Sequence, residues 1–257
     1  MKLNKIALAL SLAAFAMPLT ALAQEAAQPA EETTEAVAQE AAPAAEAAAE
    51  EEAASNLSWN LAVTSDYVFR GITQSNFKPA LQGGLDYAFG DSGWYVGAWA
   101  SNVDFNDGDG PDLELDTYVG YSADVAEDWN MDVHLVRYTY LGEQDAYGSI
   151  DYNEFFISAT YAEMLTFTVA YAYDYANLDY SSLYYNLGGS WDIGNDFALN
   201  AGVGRTNFSD DNGSYTDWNV GISRQFGPVN AALNYHDTNI EGDRVSDSVV
   251  LTLALGG

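Results

Sequence analysis

The sequence predicts an all-β fold, a transmembrane antiparallel up-and-down β-barrel, most simply of 12 strands, and three observations predict it. Segments of about 9 to 13 residues alternate large apolar side chains with small or polar ones. Long and short connections alternate between these segments, and aromatic residues concentrate near both of their ends. A tilted strand that crosses a bilayer needs about 9 to 11 residues, whereas strands of globular proteins usually have about 5 or 6.

The alternation is clearest in LTFTVAYAYDY, residues 165–175. Leu165, Phe167 and Val169 fall on one face, and Thr166 and Thr168 fall on the other. A soluble β-sandwich would give the same pattern, so the alternation alone does not identify the solvent on each face. If the segment is in a membrane, it crosses as one strand of a closed barrel, because hydrocarbon leaves no water for unpaired backbone groups.

Twelve alternating segments extend from Leu57 to Leu255. In the segment 130–141 the apolar face changes after Leu135, which we interpret as a β-bulge. The predicted strands are 57–69, 80–89, 94–105, 113–122, 130–141, 152–162, 165–175, 181–191, 197–208, 216–226, 229–238 and 247–255.

The connections favour a membrane barrel over a sandwich. Odd-numbered connections tend to be long and polar, as in FNDGDGPD and FSDDNGSY, whereas even-numbered ones tend to be short, as in EM and GP. This sorting places the long loops at one end of a barrel and the short turns at the other, which is typical of outer-membrane proteins. The connection ADVAEDW at 123–129 is an exception, because it is as long as some of the loops.

Aromatic residues near the segment ends suit two water–lipid boundaries. Trp59, Trp94 and Trp129 lie near the short connections. Near the long connections we expect a second outward belt, and its predicted members are Tyr67, Phe69, Phe105, Phe155, Tyr173, Tyr175, Trp218 and Tyr235.

Three regions are predicted along the chain. Residues 1–23 form a signal peptide, because Lys2 and Lys5 precede a short apolar run and ALA at 21–23 suits a signal peptidase. Residues 24–54 are rich in Ala, Glu and Pro and should be a disordered acidic periplasmic tail. Residues 55–257 form the barrel.

Composition limits the partners. The chain has no cysteine, so a closed hydrogen-bonded barrel would have to supply the rigidity that disulfides give many exported proteins. Its formal net charge of −30 makes nucleic acid an implausible partner. A barrel of this kind would instead contact outer-membrane lipid, lipopolysaccharide and small solutes or ions. The oligomeric state is left open.

The first half of the barrel segment resembles a known family. TSDYVFRGITQSNFKPALQGGLDYAF at 64–89, SGWYVGAWASNVDF at 92–105 and ELDTYVGY at 114–121 resemble the TorF-type family of proteobacterial porins. The resemblance implies an exported barrel in the outer membrane of a Gram-negative bacterium. It implies no catalytic residues and no particular substrate.

Little in the sequence points to catalysis. His134 and His236 are the only histidines, and Asp237 should face away from its neighbour His236 because successive strand residues point to opposite faces. The sequence contains no G-x-S-x-G motif and no His pair spaced for a metal. Turn chemistry explains the Asp, Asn and Gly of the loops. We expect no enzyme activity, no catalytic or metal site and no cofactor.

The inward face gives the clearest functional signal. Its predicted charged side chains are carboxylates opposed by one arginine, so the lumen should be negative and should attract cations. The predicted function is therefore a porin for passive diffusion of small cationic or neutral solutes. The alternatives are a structural or adhesive barrel with a filled lumen and, third, an outer-membrane enzyme. The residues predicted to line the lumen and set its selectivity are Asp66, Arg70, Asp86, Glu114, Asp116, Asp132, Glu154, Asp174 and Asp217.

Overall fold

A computed structural model describes residues 56–105, 110–142 and 148–257. The predicted signal peptide, 1–23, and the predicted acidic tail, 24–54, lie outside the described residues. The described chain is almost entirely β-structure, as predicted. Its two short 3₁₀ helices are Gly90–Ser92 and Tyr175–Asn177, and no helix among the described residues is long and apolar enough to cross a membrane.

Twelve antiparallel strands form one closed barrel, which confirms the predicted fold. Each barrel strand pairs with the barrel strands before and after it in sequence. The first strand, β1 (Leu57–Thr64), also closes the barrel by pairing with the last, β14 (Ser248–Gly256), for example at Leu61 and Leu255. Two further short strands, β2 and β3, form a separate hairpin. The strands are β1 Leu57–Thr64, β2 Val68–Phe69, β3 Ile72–Thr73, β4 Ala80–Ala88, β5 Trp94–Asn102, β6 Pro111–Ala126, β7 Trp129–Gly142, β8 Tyr152–Tyr161, β9 Leu165–Ala172, β10 Ser182–Gly194, β11 Phe197–Phe208, β12 Ser214–Phe226, β13 Val229–Thr238 and β14 Ser248–Gly256.

The connections are sorted by length. The segment 123–129 is no exception, because β6 and β7 extend further than predicted and leave only the two-residue turn Glu127–Asp128. We call the two rims the turn end and the loop end. The turn end carries 89–93, 127–128, 162–164, 195–196 and 227–228. The loop end carries 65–79, 173–181, 209–213 and 239–247, together with the described residues 103–105, 110 and 148–151.

The two faces of the wall differ as the alternation predicts. Outward side chains such as Leu85 (56% exposed) and Val203 (49% exposed) are apolar and open. The change of pattern in β7 is not a bulge, because the pairing of β7 with β8 is continuous from Trp129 to Tyr138. Tyr138 instead points inward, where it is buried. The change of pattern therefore reflects an aromatic side chain on the inner face and not a change of face.

Aromatic rings at the turn end face outward and pack in pairs. The ring centroids of Trp94 and Tyr121 are 5.3 Å apart, and those of Trp129 and Tyr161 are 5.0 Å apart. The predicted belt at the loop end is partly wrong. Tyr67, Phe69, Phe105 and Tyr175 are each at most 6% exposed and belong to a cluster inside the barrel.

The first strand is shorter than predicted, and this changes the lumen. β1 ends at Thr64 rather than continuing through Phe69. The Thr64 hydroxyl donates a hydrogen bond to the backbone oxygen of Asp66 at 2.8 Å, which favours a turn at this point. The chain then leaves the wall and folds into the barrel as residues 65–79, which we call the plug loop.

Candidate functional site

A tight hairpin forms the tip of the plug loop. β2 and β3 pair through Phe69 and Ile72, and Arg70 and Gly71 make the turn between them. Both turn residues have positive φ, 45° and 77°. A two-residue turn with two positive φ angles matches the right-handed twist of its strands, and glycine adopts this conformation without steric penalty.

The plug loop is held in the middle of the lumen at the loop end. Ile72, Gln74 and Ser75 are 0% exposed. The ring of Tyr67 packs edge-on against Trp99 of β5 at a centroid distance of 5.5 Å, and Ile72 packs with Tyr215 of β12. Strands from different sides of the barrel thus contact one loop, so the loop fills the space between them.

Arg70 anchors the hairpin to the barrel wall. Its Nη2 atom donates a hydrogen bond to Glu154 Oε2 of β8 at 2.9 Å, and both side chains are buried. Its guanidinium also lies over the ring of Tyr184 of β10, 4.0 Å from the centroid. Burial lowers the pKa of Arg70 most strongly, but the Glu154 carboxylate together with the surrounding Tyr184, Tyr175 and Tyr152 outweighs burial, and the net effect raises this pKa.

Three further carboxylates surround the anchor. Glu114, Asp116 and Asp217 point inward from β6 and β12 and are at most 5% exposed. Tyr67 Oη donates a hydrogen bond to Glu114 Oε1, and Tyr184 Oη donates one to Asp217 Oδ1, each at 3.2 Å. The lumen therefore places a cluster of buried acids around one buried arginine, with tyrosine hydroxyls as hydrogen-bond donors.

Asp66 organises the loop from within. Its Oδ1 atom accepts hydrogen bonds from the hydroxyl groups of Thr73 at 2.5 Å and Ser75 at 2.9 Å. Burial raises the pKa of Asp66, while the two hydroxyl groups act in the opposite direction. Asp66 and Arg70 thus lie in the lumen, as the sequence predicts, but on an inserted loop rather than on a strand.

Arg244, from another connection at the loop end, also binds the plug loop. It lies on the connection 239–247, is buried, and donates hydrogen bonds from Nε and Nη2 to the backbone oxygen of Thr73 at 3.2 and 2.8 Å. Its guanidinium lies 4.4 Å from the ring centroid of Phe105. The plug loop is therefore fixed by one arginine of its own and by one from another loop.

The half of the lumen nearer the turn end has a different lining. Asp86 of β4 accepts a hydrogen bond from the hydroxyl group of Tyr118, and Asp132 of β7 accepts one from Tyr95 Oη at 2.8 Å. Asp132 Oδ1 also lies 2.6 Å from His134 Nδ1. These side chains are only half-buried, so the turn side of the lumen is more open than the loop side.

Asp174 is not on a lumen-facing strand. β9 ends at Ala172, and Asp174 lies in the connection 173–181, where its Oδ1 accepts a hydrogen bond from the backbone N–H of Asp179 at 2.9 Å. An Asp oxygen that caps a turn in this way is common in loops. We therefore withdraw Asp174 from the strand-borne lumen lining.

Sequence reasoning missed Arg244 and most of the buried tyrosines. The signal for the hairpin was present, because Arg70-Gly71 sits between Val68-Phe69 and Ile72-Thr73, two pairs of residue types that favour strands, as in a two-residue hairpin. No comparable signal marked Arg244, whose partner is a backbone oxygen of a loop distant in sequence.

Gly71 offers a test of how tightly the plug loop fits. We expect Gly71→Ala to destabilise the folded barrel by more than the roughly 1–2 kcal/mol of a left-handed alanine. The added Cβ would overlap Cγ2 of Thr238, besides adopting the positive φ. Gly213→Ala is the matched control, because Gly213 also has positive φ but has open space around its Cβ position. If urea unfolding shows that Gly71→Ala and Gly213→Ala lose the same free energy of unfolding, the hairpin tip is not packed against β13.

Across the three described ranges, no group of three or more His, Asp and Glu side chains could hold a metal ion. His236 and Asp237 lie on opposite faces of β13, because Asp237 shares the outward face with Tyr235, whose hydroxyl donates a hydrogen bond to it at 3.2 Å.

A family model described as "Bacterial protein of unknown function (Gcw_chp)" matches residues 48–251. No curated protein sequence is significantly similar to the chain.

Several solved structures are similar to the chain at very low sequence identity. The chain is similar to a KdgM porin with a TM-score of 0.49 and 7% identity, over 77% of this chain and 97% of that one. It is similar to a NanC porin with a TM-score of 0.47 and 10% identity, over 78% of this chain and 97% of that one. A structure described as "Unveiling the Mechanism Behind the in-meso Crystallization of Membrane Proteins" is similar with a TM-score of 0.50 and 8% identity, over 78% of this chain and 83% of that one. At such identities the likeness concerns the fold alone.

Proposed function

The chain belongs to the Gcw_chp family, described as bacterial protein of unknown function, and we propose that it forms an outer-membrane channel for passive diffusion of small solutes. The channel prefers cations and is narrowed at the loop end by the plug loop. This function agrees with the resemblance of residues 64–121 to TorF-type porins and with the signal peptide predicted for residues 1–23. It assigns no catalytic role and no cofactor to the barrel.

The observation that carries the proposal is the inward face on the turn side. Hydroxyl groups of Ser158 and Thr168 and of Thr160 and Thr166 pair across β8 and β9 at 2.9 and 3.0 Å, and all four side chains are half-buried. A polar lining of this kind is typical of water-filled barrels. A barrel with a purely structural role would gain more stability from apolar side chains at these positions.

Charge supports the preference for cations. Asp86 and Asp132 face the lumen on the turn side, and the acid cluster lies beyond them. The two buried arginines of the described lumen are already engaged, Arg70 with Glu154 and Arg244 with the backbone of Thr73. A passing ion would come within a Debye length, about 8 Å at physiological salt, of several carboxylates.

Ion selectivity tests the proposal. In planar bilayers under a KCl gradient, we expect a reversal potential whose sign indicates preference for K⁺ over Cl⁻. Its magnitude should decrease on acidification, because protonated carboxyls carry no charge. Asp86→Asn with Asp132→Asn should reduce the preference, since each amide keeps the size and a hydrogen-bonding oxygen. Asp237→Asn is the control, because Asp237 faces outward. Anion preference in the unmodified protein would refute the assignment.

A second function is supported by the plug loop itself. Ile72, Gln74 and Ser75 are fully buried, so the plug loop packs closely against its surroundings and reduces the open space at the loop end of the lumen. A barrel with a filled lumen could serve as a structural or adhesive scaffold that displays its long connections. A folded, inserted barrel that gives no conductance steps in the bilayer experiment would favour this function over the channel.

The partners follow from the location in the outer membrane. The outward apolar surface would contact lipid, and the long connections would lie among lipopolysaccharide if the loop end faces outward. Impermeant thiol labelling tests this orientation. A cysteine at Asn212, on the connection 209–213, should be labelled on intact cells, and one at Gly227, in the turn 227–228, should not. Labelling at Gly227 but not at Asn212 would mean that the turn end, and not the loop end, faces the outside of the cell.

A further inference from the structure

We propose that Arg224 and the groove beside it form a binding site for one anionic glycerophospholipid of the leaflet at the turn end. The lipid phosphate would bind the guanidinium group, and an acyl chain would lie in the groove. This site is on the outer surface of the barrel, so it does not depend on whether the lumen conducts.

Arg224 is placed on the outward face close to the edge of the wall. It shares this face of β12 with Ile222 and Phe226, which are exposed to the surroundings of the barrel. Arg224 lies two residues before the end of the strand at Phe226, which is about 7 Å at the usual rise of a strand. At this depth a long cationic side chain can reach lipid head groups.

Two aromatic rings position the guanidinium group. Its Cζ atom lies 4.7 Å from the ring centroid of Phe197 and 4.8 Å from that of Phe226. The Nε atom is buried and has no hydrogen-bond partner among the described residues. Cation–π contacts of this kind restrict the side chain without neutralising its charge. The guanidinium is therefore held in place with its charge still available to an anion.

The other outward arginines have partners in the protein. Arg205 at the loop end donates hydrogen bonds to the hydroxyl groups of Thr216 and Ser214. Arg137, also at the loop end, forms an ion pair with Asp151 at 3.2 Å. Within the described ranges, Arg224 has neither a hydrogen bond nor an ion pair through its guanidinium group. An external anion would supply the missing partner.

An apolar groove runs beside this charge. Ala231 of β13 pairs directly with Arg224, and its small side chain leaves a depression in a surface otherwise built from large residues. Ile222, Leu233 and Leu251 follow in register across three strands and line the same groove, whose volume is about 130 Å³. A charged group next to a narrow apolar groove matches a phosphate next to an acyl chain.

The nearby acid Asp196 is not the ionic partner of Arg224. Asp196 lies in the turn that precedes Phe197, and its backbone oxygen accepts a hydrogen bond from the N–H of Gln225 at 3.3 Å. Its exposed carboxylate is not within ion-pair distance of Arg224. Because the chain carries a formal net charge of −30, an anionic lipid would be repelled at long range and would need this specific contact.

Lipid retention by the purified full chain tests the site. Native mass spectrometry in detergent with added phosphatidylglycerol should detect one retained lipid per barrel. Arg224→Gln should reduce retention by about tenfold, the loss expected for one charge-assisted hydrogen bond. Arg205→Gln is the matched control and should retain lipid as the unmodified protein does. Ala231→Phe should also reduce retention, because it fills the groove while it leaves the charge in place.

Folding of each variant is checked by heat-modifiable migration in gels, so that a loss of lipid is compared only among folded barrels. Equal retention by the unmodified protein and Arg224→Gln would overturn the proposal. Equal losses for Arg224→Gln and Arg205→Gln would overturn it as well, because they would indicate general charge attraction. Displacement of the lipid by an equal concentration of inorganic phosphate would show an anion site without a lipid groove. Detection of a dimer of the chain that carries no lipid would overturn the lipid site and would identify a second copy of the chain as the occupant.

Discussion

Glu154→Leu should release the plug loop and raise the single-channel conductance. The substitution leaves the buried Arg70 guanidinium without its ionic partner, since Glu154 forms its only ion pair among the described residues. An uncompensated buried charge costs about 3–5 kcal/mol, which the hairpin can avoid by moving into water. A cysteine introduced at Ile72, fully buried in the loop, should then become accessible to a thiol reagent. The chain has no native cysteine, so labelling would report this position alone.

Two further variants separate charge from packing. Glu154→Gln keeps an oxygen that can accept a hydrogen bond from Arg70 and should release the loop less often than Glu154→Leu. Arg70→Met combined with Glu154→Leu should return the loop to the lumen, because apolar side chains of similar volume can replace a buried ion pair. If Glu154→Leu leaves both the conductance and the protection of Ile72→Cys unchanged, the ion pair does not anchor the loop.

Val220→Arg should weaken folding into a bilayer by about 2–4 kcal/mol, the cost of an arginine on the lipid face near the midplane of a membrane barrel. Val220 is the middle residue of β12 and is 47% exposed on the outward face. The measurement is urea-dependent equilibrium folding into lipid vesicles. The effect should shrink for an arginine placed closer to either strand end.

Asn219→Arg is the matched control for this substitution. Asn219 is the neighbouring residue on β12, faces inward and is half-buried, so its replacement adds the same charge to the polar lumen. We expect a much smaller loss of folding free energy. Equal losses at the two positions would mean that the outward face does not meet hydrocarbon.

The wall of the barrel was predictable because it obeys a local rule. Strand alternation and the sorting of connections follow from the solvent on each face, and both are visible within a few residues of sequence. The same rule failed where the chain left the wall. Phe69 and Phe155 are both aromatic residues near the loop end, yet Phe155 is 44% exposed outside and Phe69 is buried inside.

Tyrosine was the main source of error within the lumen. Tyr138 and Tyr152 are absent from the predicted lumen lining, yet both are buried on the inner face. In the lumen their rings stack at a centroid distance of 4.5 Å, and the Tyr138 hydroxyl group approaches Glu154 at 3.4 Å. A ring that is apolar on its faces and polar at its tip suits either side of a membrane strand. Which side it takes depends on partners from other strands, which the local pattern does not contain.

The closure of the barrel has a consequence for the order of events during folding. The plug loop starts directly after the last paired residue of the seam between β1 and β14, and Ser65 exchanges hydrogen bonds with the backbone of Leu251 at 2.8 and 3.0 Å. Its anchors Glu154 and Arg244 also come later in the chain. Contacts so distant in sequence carry the largest loop-closure entropy and form late. The wall and its filling should therefore become ordered in one final step, and a thiol at Ile72 should stay reactive during refolding until β14 has docked.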